Sequence, residues 1–271
     1  MSLRAVARTE FRQGLRSRAV WGLAAVAVLL LVGSVLTQSR SPRLSLRPAE
    51  AALYSAATLF TFAFPLAALA ASYGSIAGEV DARRARSVLG LPVSRTTVFA
   101  ATLLGRVALA WLAVGGALVL TGLGVVLRFG RLPVVAFLTF SGLTLLFVAV
   151  WTTIGVGISG ALRHRGRALT GALSVYFVLV VYWISGFVSP RTLTARFVED
   201  VLGWSATPVL YEFVFRASPG TAYTWATAQM VTGEQSSHLV LGPSILSLVL
   251  CCWAAGFVAL VVSGFRNAEI R

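Results

Sequence analysis

The chain contains no lysine: all 23 of its basic residues are arginine, set against nine acids for a formal net charge of +14. A Walker loop grips phosphate through a lysine in Gly-x-x-x-x-Gly-Lys-Ser/Thr, so this chain cannot be an ATPase of that kind. Cysteine is confined to the neighbours Cys251 and Cys252 in the last apolar run, where small polarizable side chains serve packing and no disulfide framework follows. Histidine is confined to His164 and His238, in different loops and without Cys, His or carboxylate partners at ligand spacing, so no metal site and no cofactor is expected. Neither Gly-x-Ser-x-Gly nor His-Glu-x-x-His occurs, which removes the minimum residues for serine-hydrolase and zinc-hydrolase chemistry. Carboxylates are missing from the apolar runs as well. Glu10, Glu50, Glu79, Asp81, Glu199, Asp200, Glu212, Glu234 and Glu269 all fall at interfaces or in loops. An ion-coupled carrier usually keeps an acid inside the membrane, so secondary transport is weakened, although backbone carbonyls and hydroxyls can also bind Na⁺.

Hydrophobic residues make up 57% of the 271, and charged ones only 12%, too apolar for an average water-soluble domain. Apolar runs fall at about 20–36, 54–77, 107–127, 134–160, 169–188 and 241–263, each near the ~20 residues that a membrane-spanning helix needs. They do not alternate apolar with polar, so a membrane β-barrel is not expected. The expected fold is all-α: a polytopic membrane protein of six transmembrane helices in a single transmembrane domain over 1–271. The first run could imitate a signal peptide, but its length and the lack of a small-residue cleavage site before Gln38 and Arg40 favour a retained helix. Strong basicity can mark nucleic-acid binding. Here the arginines sit in short loops between spans, where lipid headgroups are the nearer partner, and no nucleic acid is expected.

Arginine in short loops is retained on the cytoplasmic side. With both termini placed there, that side carries 15 arginines, among them Arg4, Arg8, Arg12, Arg16, Arg18, Arg83, Arg84, Arg86, Arg95, Arg106, Arg163, Arg165 and Arg167. The other side carries eight: Arg40, Arg43, Arg47, Arg128, Arg131, Arg191, Arg196 and Arg216. Because Val107–Leu127 already fills a span, Arg106 is expected at its cytoplasmic end, with 96–105 as a helical extension. In residues 2–18, Leu3, Ala7, Phe11 and Leu15 form an apolar stripe flanked by Arg4, Arg8, Arg12 and Arg16, the pattern of an amphipathic helix in the interface with snorkelling arginines. An untidy basic lead-in to the first span is the alternative. The stretch 189–240 carries Trp204, Tyr211, Phe213, Phe215, Tyr223 and Trp225, interrupted by Pro190, Pro208, Pro219 and Gly220. It is expected to form short interfacial or partly re-entrant helices on the extracytoplasmic side.

The loop after the second span, 78–96, is the most informative segment. It runs Gly78-Glu79-Val80-Asp81-Ala82-Arg83-Arg84-Ala85-Arg86-Ser87-Val88-Leu89-Gly90-Leu91-Pro92-Val93-Ser94-Arg95. It resembles the signature loop of type-2 ATP-binding cassette (ABC) exporter permeases: an acid after the second span, a short helix, then Leu-x-x-Pro-x-Ser-Arg leading into the third span. Glu79, Leu89, Pro92, Ser94 and Arg95 stand at those positions. Asp81 and Arg86 add charges that a partner can grip, while Pro92 stiffens the connection. The loop departs from the family at Arg83-Arg84, commonly Gly-Thr, and at Ser87, usually apolar; both bear on which ATPase pairs with it. Gly155, Gly157, Ser159 and Gly160 late in the fourth run also suit the resemblance, and otherwise read as close-packing positions.

The resemblance implies a non-enzymatic permease subunit in the cell membrane. It would dimerise with itself or a sister permease and be driven by a separate cytoplasmic ABC ATPase subunit through Glu79, Asp81, Arg86, Leu89, Pro92, Ser94 and Arg95. The alternatives are an ion-coupled secondary transporter and a non-transporting membrane assembly factor. For the loop itself the alternative is an ordinary positive-inside loop whose arginines only hold topology. Lipid, drug, polysaccharide and peptide substrates all stay open, since no polar constellation marks a translocation face.

Overall fold

A computed structural model describes residues 18–37, 48–75, 77, 95–162, 164–185, 190–203, 207–233 and 238–269. All regular structure among them is helical. The long elements are α1 (Arg18–Thr37), α2 (Pro48–Ser72), α3 (Arg95–Phe129), α4 (Val134–Leu162) and α5 (Arg165–Tyr176). A π turn, Phe177–Tyr182, and a short piece, Trp183–Ser185, prolong α5. Short helices α6 (Pro190–Arg196), α7 (Pro208–Arg216) and α8 (Pro219–Thr232) precede the last long helix, α9 (Pro243–Glu269). Of the expected interfacial helix at 2–18, all but Arg18, the first residue of α1, lies outside the described residues.

Proline sets the punctuation. Pro48, Pro190, Pro208, Pro219 and Pro243 each open a helix, where the missing N–H would have had no intrahelical partner anyway. Gly130 ends α3 and Gly233 ends α8 with φ of +75°, the left-handed conformation that glycine adopts without steric cost. Among the described residues four helices are long and apolar enough to cross a membrane: Pro48–Ser72, Phe99–Phe129, Val134–Leu162 and Pro243–Leu260, while Ala24–Leu36 is a shorter apolar stretch. α2 therefore starts six residues before its expected boundary and ends at Ser72 instead of 77. α3 runs unbroken from Arg95, so 96–105 is helix as expected.

α4 is the axis of the bundle. It packs against α2, α3, α5, α8 and α9, and every residue from Val150 to Gly160 is buried. The core joins Leu31 of α1, Phe60 and Phe64 of α2, Phe147 and Trp151 of α4, Tyr223 of α8 and Leu250 of α9. Polar side chains inside it bond to their own helix: Thr61 donates to Ala57 O, Thr121 to Ala117 O, Thr144 to Phe140 O and Thr153 to Ala149 O, at 2.7–3.1 Å. Bonding to the carbonyl one turn back satisfies a hydroxyl where no water is at hand.

The chain bends at Ala217–Ser218, and α8 runs into the bundle between α2, α4 and α9. It is antiparallel to α9: Trp253 Nε1 donates to Ala217 O at one end, and Gln229 Nε2 donates to Leu241 O at the other. At 1.5 Å per residue, the 10 residues from Pro243 to Trp253 put the bend roughly 15 Å along α9. Tyr223, assigned to a headgroup belt by composition, is instead wholly buried. Its ring stacks on Phe147 at 4.3 Å and 9°, and its hydroxyl pairs with Thr144 at 2.9 Å. An aromatic with a polar handle suits a buried seam as well as an interface, provided the handle finds a partner. Arg216 is likewise buried, bonded to Glu212 at 3.6 Å and lying 4.0 Å over the Trp225 ring.

Tyr223→Phe is expected to cost about 0.5–1.5 kcal/mol, the net value of one hydrogen bond, and Tyr223→Ala about 3–5 kcal/mol through the cavity it leaves. Thermal unfolding of the purified protein in one detergent measures both. Equal losses would mean that α8 does not anchor through its ring.

Candidate functional site

Most of the loop that carries the family signature lies outside the described residues. Glu79, Asp81, Arg86, Leu89, Pro92 and Ser94 belong to that segment, and Arg95 is known only as the first backbone position of α3. The structure does describe where the loop is mounted. α2 ends at Ser72 in a turn closed by Tyr73 N–H to Leu69 O, 2.8 Å, and Ser75 N–H to Ser72 O, 3.1 Å. Beyond it the Ala77 N–H donates to Ser159 Oγ of α4 at 3.0 Å, a buried bond between residues 82 apart in sequence.

Two further contacts fix that corner. Ser72 donates to Ala68 O at 2.6 Å and faces Gly155. A Cβ on Gly155 would stand 1.9 Å from Ser72 Oγ and 3.0 Å from Ser72 Cβ, so α2 and α4 approach this closely only because residue 155 has no side chain. From the third helix, Arg106 donates to Ala71 O at 3.2 Å, level with the last turn of α2. A void of about 10 Å³ remains between Ala68, Ser72, Arg106, Leu109 and Thr152. The first turns of α3 are held by Phe99 packed on Val156, with Leu103 and Val258 alongside. Both ends of the loop thus rest on the same stretch of α4.

Sequence reasoning identified Gly155 and Ser159 as small residues of the fourth run without assigning them partners. Ser72, Ala77 and Phe99 were missed altogether. Nothing in a single sequence marks Ser72 as the neighbour of Gly155, because the two are brought together only by the crossing of α2 and α4. The two tryptophans that secure the α7–α8 bend were missed as well: Trp183 Nε1 donates to Phe215 O at 2.9 Å, and Trp253 Nε1 to Ala217 O at 2.8 Å.

This mount lies beside the signature loop, and the wider sequence agrees with it: residues 4–270 match the profile described as ABC-2 family transporter protein. The chain belongs to this family. It is 26% identical over 275 residues to a Pseudomonas aeruginosa protein named "Probable ABC transporter permease protein NosY", covering 98% of each chain. It is also 27% identical over 279 residues to the protein of that name from Stutzerimonas stutzeri, covering 97% of each. An ABC-2 permease is a membrane subunit, and membership implies partnership with an ATPase subunit.

Gly155→Ala is expected to destabilise the protein by about 1–3 kcal/mol, as overpacking of a close helix crossing does. Ser72→Gly in the same chain should recover most of that loss. A double-mutant cycle on thermal stability reads the coupling; additive effects would mean that the two residues do not meet.

Proposed function

We propose that the chain is the transmembrane subunit of an ABC exporter, and that the 78–96 loop couples its conformation to ATP hydrolysis in a separate cytoplasmic subunit. The observation that carries this reading is the shared footing of the loop's two ends on α4: Ala77 bonded to Ser159, and Phe99 packed on Val156. A loop hung on flexible ends would absorb a push from a partner. One whose ends are both fixed to the helix at the axis of the bundle passes displacement into the bundle, since packed cores deform little. Family membership supports an ATPase partner, and the absence of a Walker lysine supports placing hydrolysis on that partner.

In this reading the protein is one permease domain over 1–271 with six spans: α1, α2, α3, α4, α5 with its π turn, and α9. Both termini are cytoplasmic, residues 2–18 lie in the cytoplasmic interface, and 189–240 is extracytoplasmic with α7 and α8 re-entering the bundle. The arginine bias supports this orientation. It also leaves Arg106 at the cytoplasmic end of the third span, beside the end of α2. Two copies, or one copy with a sister permease, complete the translocation path. Glu79, Asp81, Arg86, Leu89, Pro92, Ser94 and Arg95 form the surface that the ATPase grips.

The purified chain alone should not hydrolyse ATP. Reconstituted with its ABC ATPase, Glu79→Ala or Arg95→Ala should leave insertion and thermal stability nearly unchanged, because loop substitutions usually cost within about 0.5 kcal/mol. Substrate-stimulated hydrolysis or complex formation should fall, by up to a few kcal/mol in binding if the charge is buried at the contact. Unchanged binding and stimulation in both variants would reduce the loop to a topology determinant.

A further inference from the structure

Arg106 is rooted inside the bundle, and two contacts between α3 and α4 fix how deep. Phe99 packs on Val156, and Trp111 Nε1 donates to Leu145 O at 2.9 Å. The spacing from Phe99 to Trp111 on α3 matches that from Val156 back to Leu145 on α4, so the two helices run antiparallel and in register. In that register the Arg106 backbone lies seven residues, about 10 Å, inward of Phe99. Its guanidinium comes back towards the mount of the loop, where Nη1 donates to Ala71 O at 3.2 Å. Ala68, Ala71 and Ala110 line that path, and their small side chains leave the arginine stem room to pass. The last carbonyls of a helix have no intrahelical donor. At the end of α2 most of the replacements come from the chain's own next residues: Leu69 O takes the Tyr73 N–H, and Ser72 O takes the Ser75 N–H. Ala71 O takes its donor from another helix.

We propose that Arg106 is a positioning residue: it caps the C-terminus of α2 from α3 and so holds the two ends of the 78–96 segment as one unit. A cation rooted among apolar helices is costly unless its charge meets an acceptor. The end of a helix is such an acceptor, since its unpaired carbonyls carry a partial negative charge equivalent to roughly half an elementary charge. Snorkelling along its own stem brings the guanidinium to that end. The consequence is mechanical. Ala77 and Phe99 tie the two sides of the loop to α4 separately, whereas Arg106 ties the α3 side directly to the α2 side. A displacement of the first turns of α3 then reaches the exit of the chain from α2 without first moving α4. The cap stands on the geometry alone; its use in coupling rests on the reading of 78–96 as the loop that meets an ATPase.

Hydrogen–deuterium exchange of the full chain in lipid nanodiscs tests this, first alone and then with its ABC ATPase. Arg106→Met keeps an apolar stem and removes the charge and its donors. In the chain alone it should speed exchange of the 69–77 amides roughly three- to tenfold, the loss of one hydrogen bond to a charged group, and leave α8 unchanged. Arg106→Lys keeps the charge and should stay near wild type. In the complex, ATP with vanadate should alter exchange at both 69–77 and 95–103 in wild type, and only at 95–103 in Arg106→Met. Unchanged exchange of 69–77 in Arg106→Met alone, or faster exchange in every helix, overturns the cap. So does Arg106→Lys behaving as Arg106→Met, which would make the role one of shape and not of charge. A response of 69–77 to nucleotide that survives in Arg106→Met overturns the tie between the two ends. A wild-type complex in which both segments ignore nucleotide refutes the coupling reading instead, and exchange in the chain alone still decides the cap.

Discussion

Inside a bilayer every peptide N–H and C=O must find its partner within the protein, and most of this architecture follows from that requirement. It makes the regular structure helical. It turns threonines such as Thr61 and Thr144 back onto their own carbonyls. It matters most where the backbone stops being helical inside the bundle, at the Ala217–Ser218 bend. The last carbonyls of α7 have no intrahelical donor there, and the indole N–H groups of Trp183 and Trp253 meet two of them, at Phe215 and Ala217. Ser218 supplies the cap for the other side of the bend by accepting from the Thr221 N–H at 3.2 Å. An entering helix pair is possible only because those donors are in place.

The same requirement explains the corner where α2 ends. Once the chain leaves the helix at Ser72, its backbone groups need new partners, and the Ala77 N–H finds Ser159. For that bond to form, α4 must lie very near, and Gly155 permits the approach. Polar satisfaction and close packing are therefore one device here. The packing explains why the end of α2 cannot shift without disturbing α4, to which α3, α5, α8 and α9 are also attached. A shift at the end of α2 would therefore be felt by nearly every helix of the bundle.

Long apolar runs were legible in the sequence because hydrophobicity summed over about 20 residues is a strong signal. The runs of α2, α3, α4 and α9 were found on that basis, with ends shifted by a few residues where proline and glycine, not hydropathy, set the boundary. The unbroken start of α3 at Arg95 was legible too, since no breaker separates it from Arg106. α8 was harder to read. Its Thr, Gln and Tyr content suggests an interface, and only the tertiary partners Thr144, Phe147 and Leu241 make a buried position acceptable for Tyr223 and Gln229. Neither the Ser72–Gly155 contact nor the bond from Arg106 to Ala71 O has any local signature, because both depend on which helices become neighbours.

The central claim is that the loop rooted at this corner meets a separate ATPase. Site-specific crosslinking in the assembled complex tests it most directly. With Cys251 and Cys252, both exposed, replaced by serine, a single cysteine at position 84 should crosslink to the ATPase subunit, while one at position 131, on the opposite side, should not. No crosslink from 84, or equal crosslinking from 131, would contradict the account.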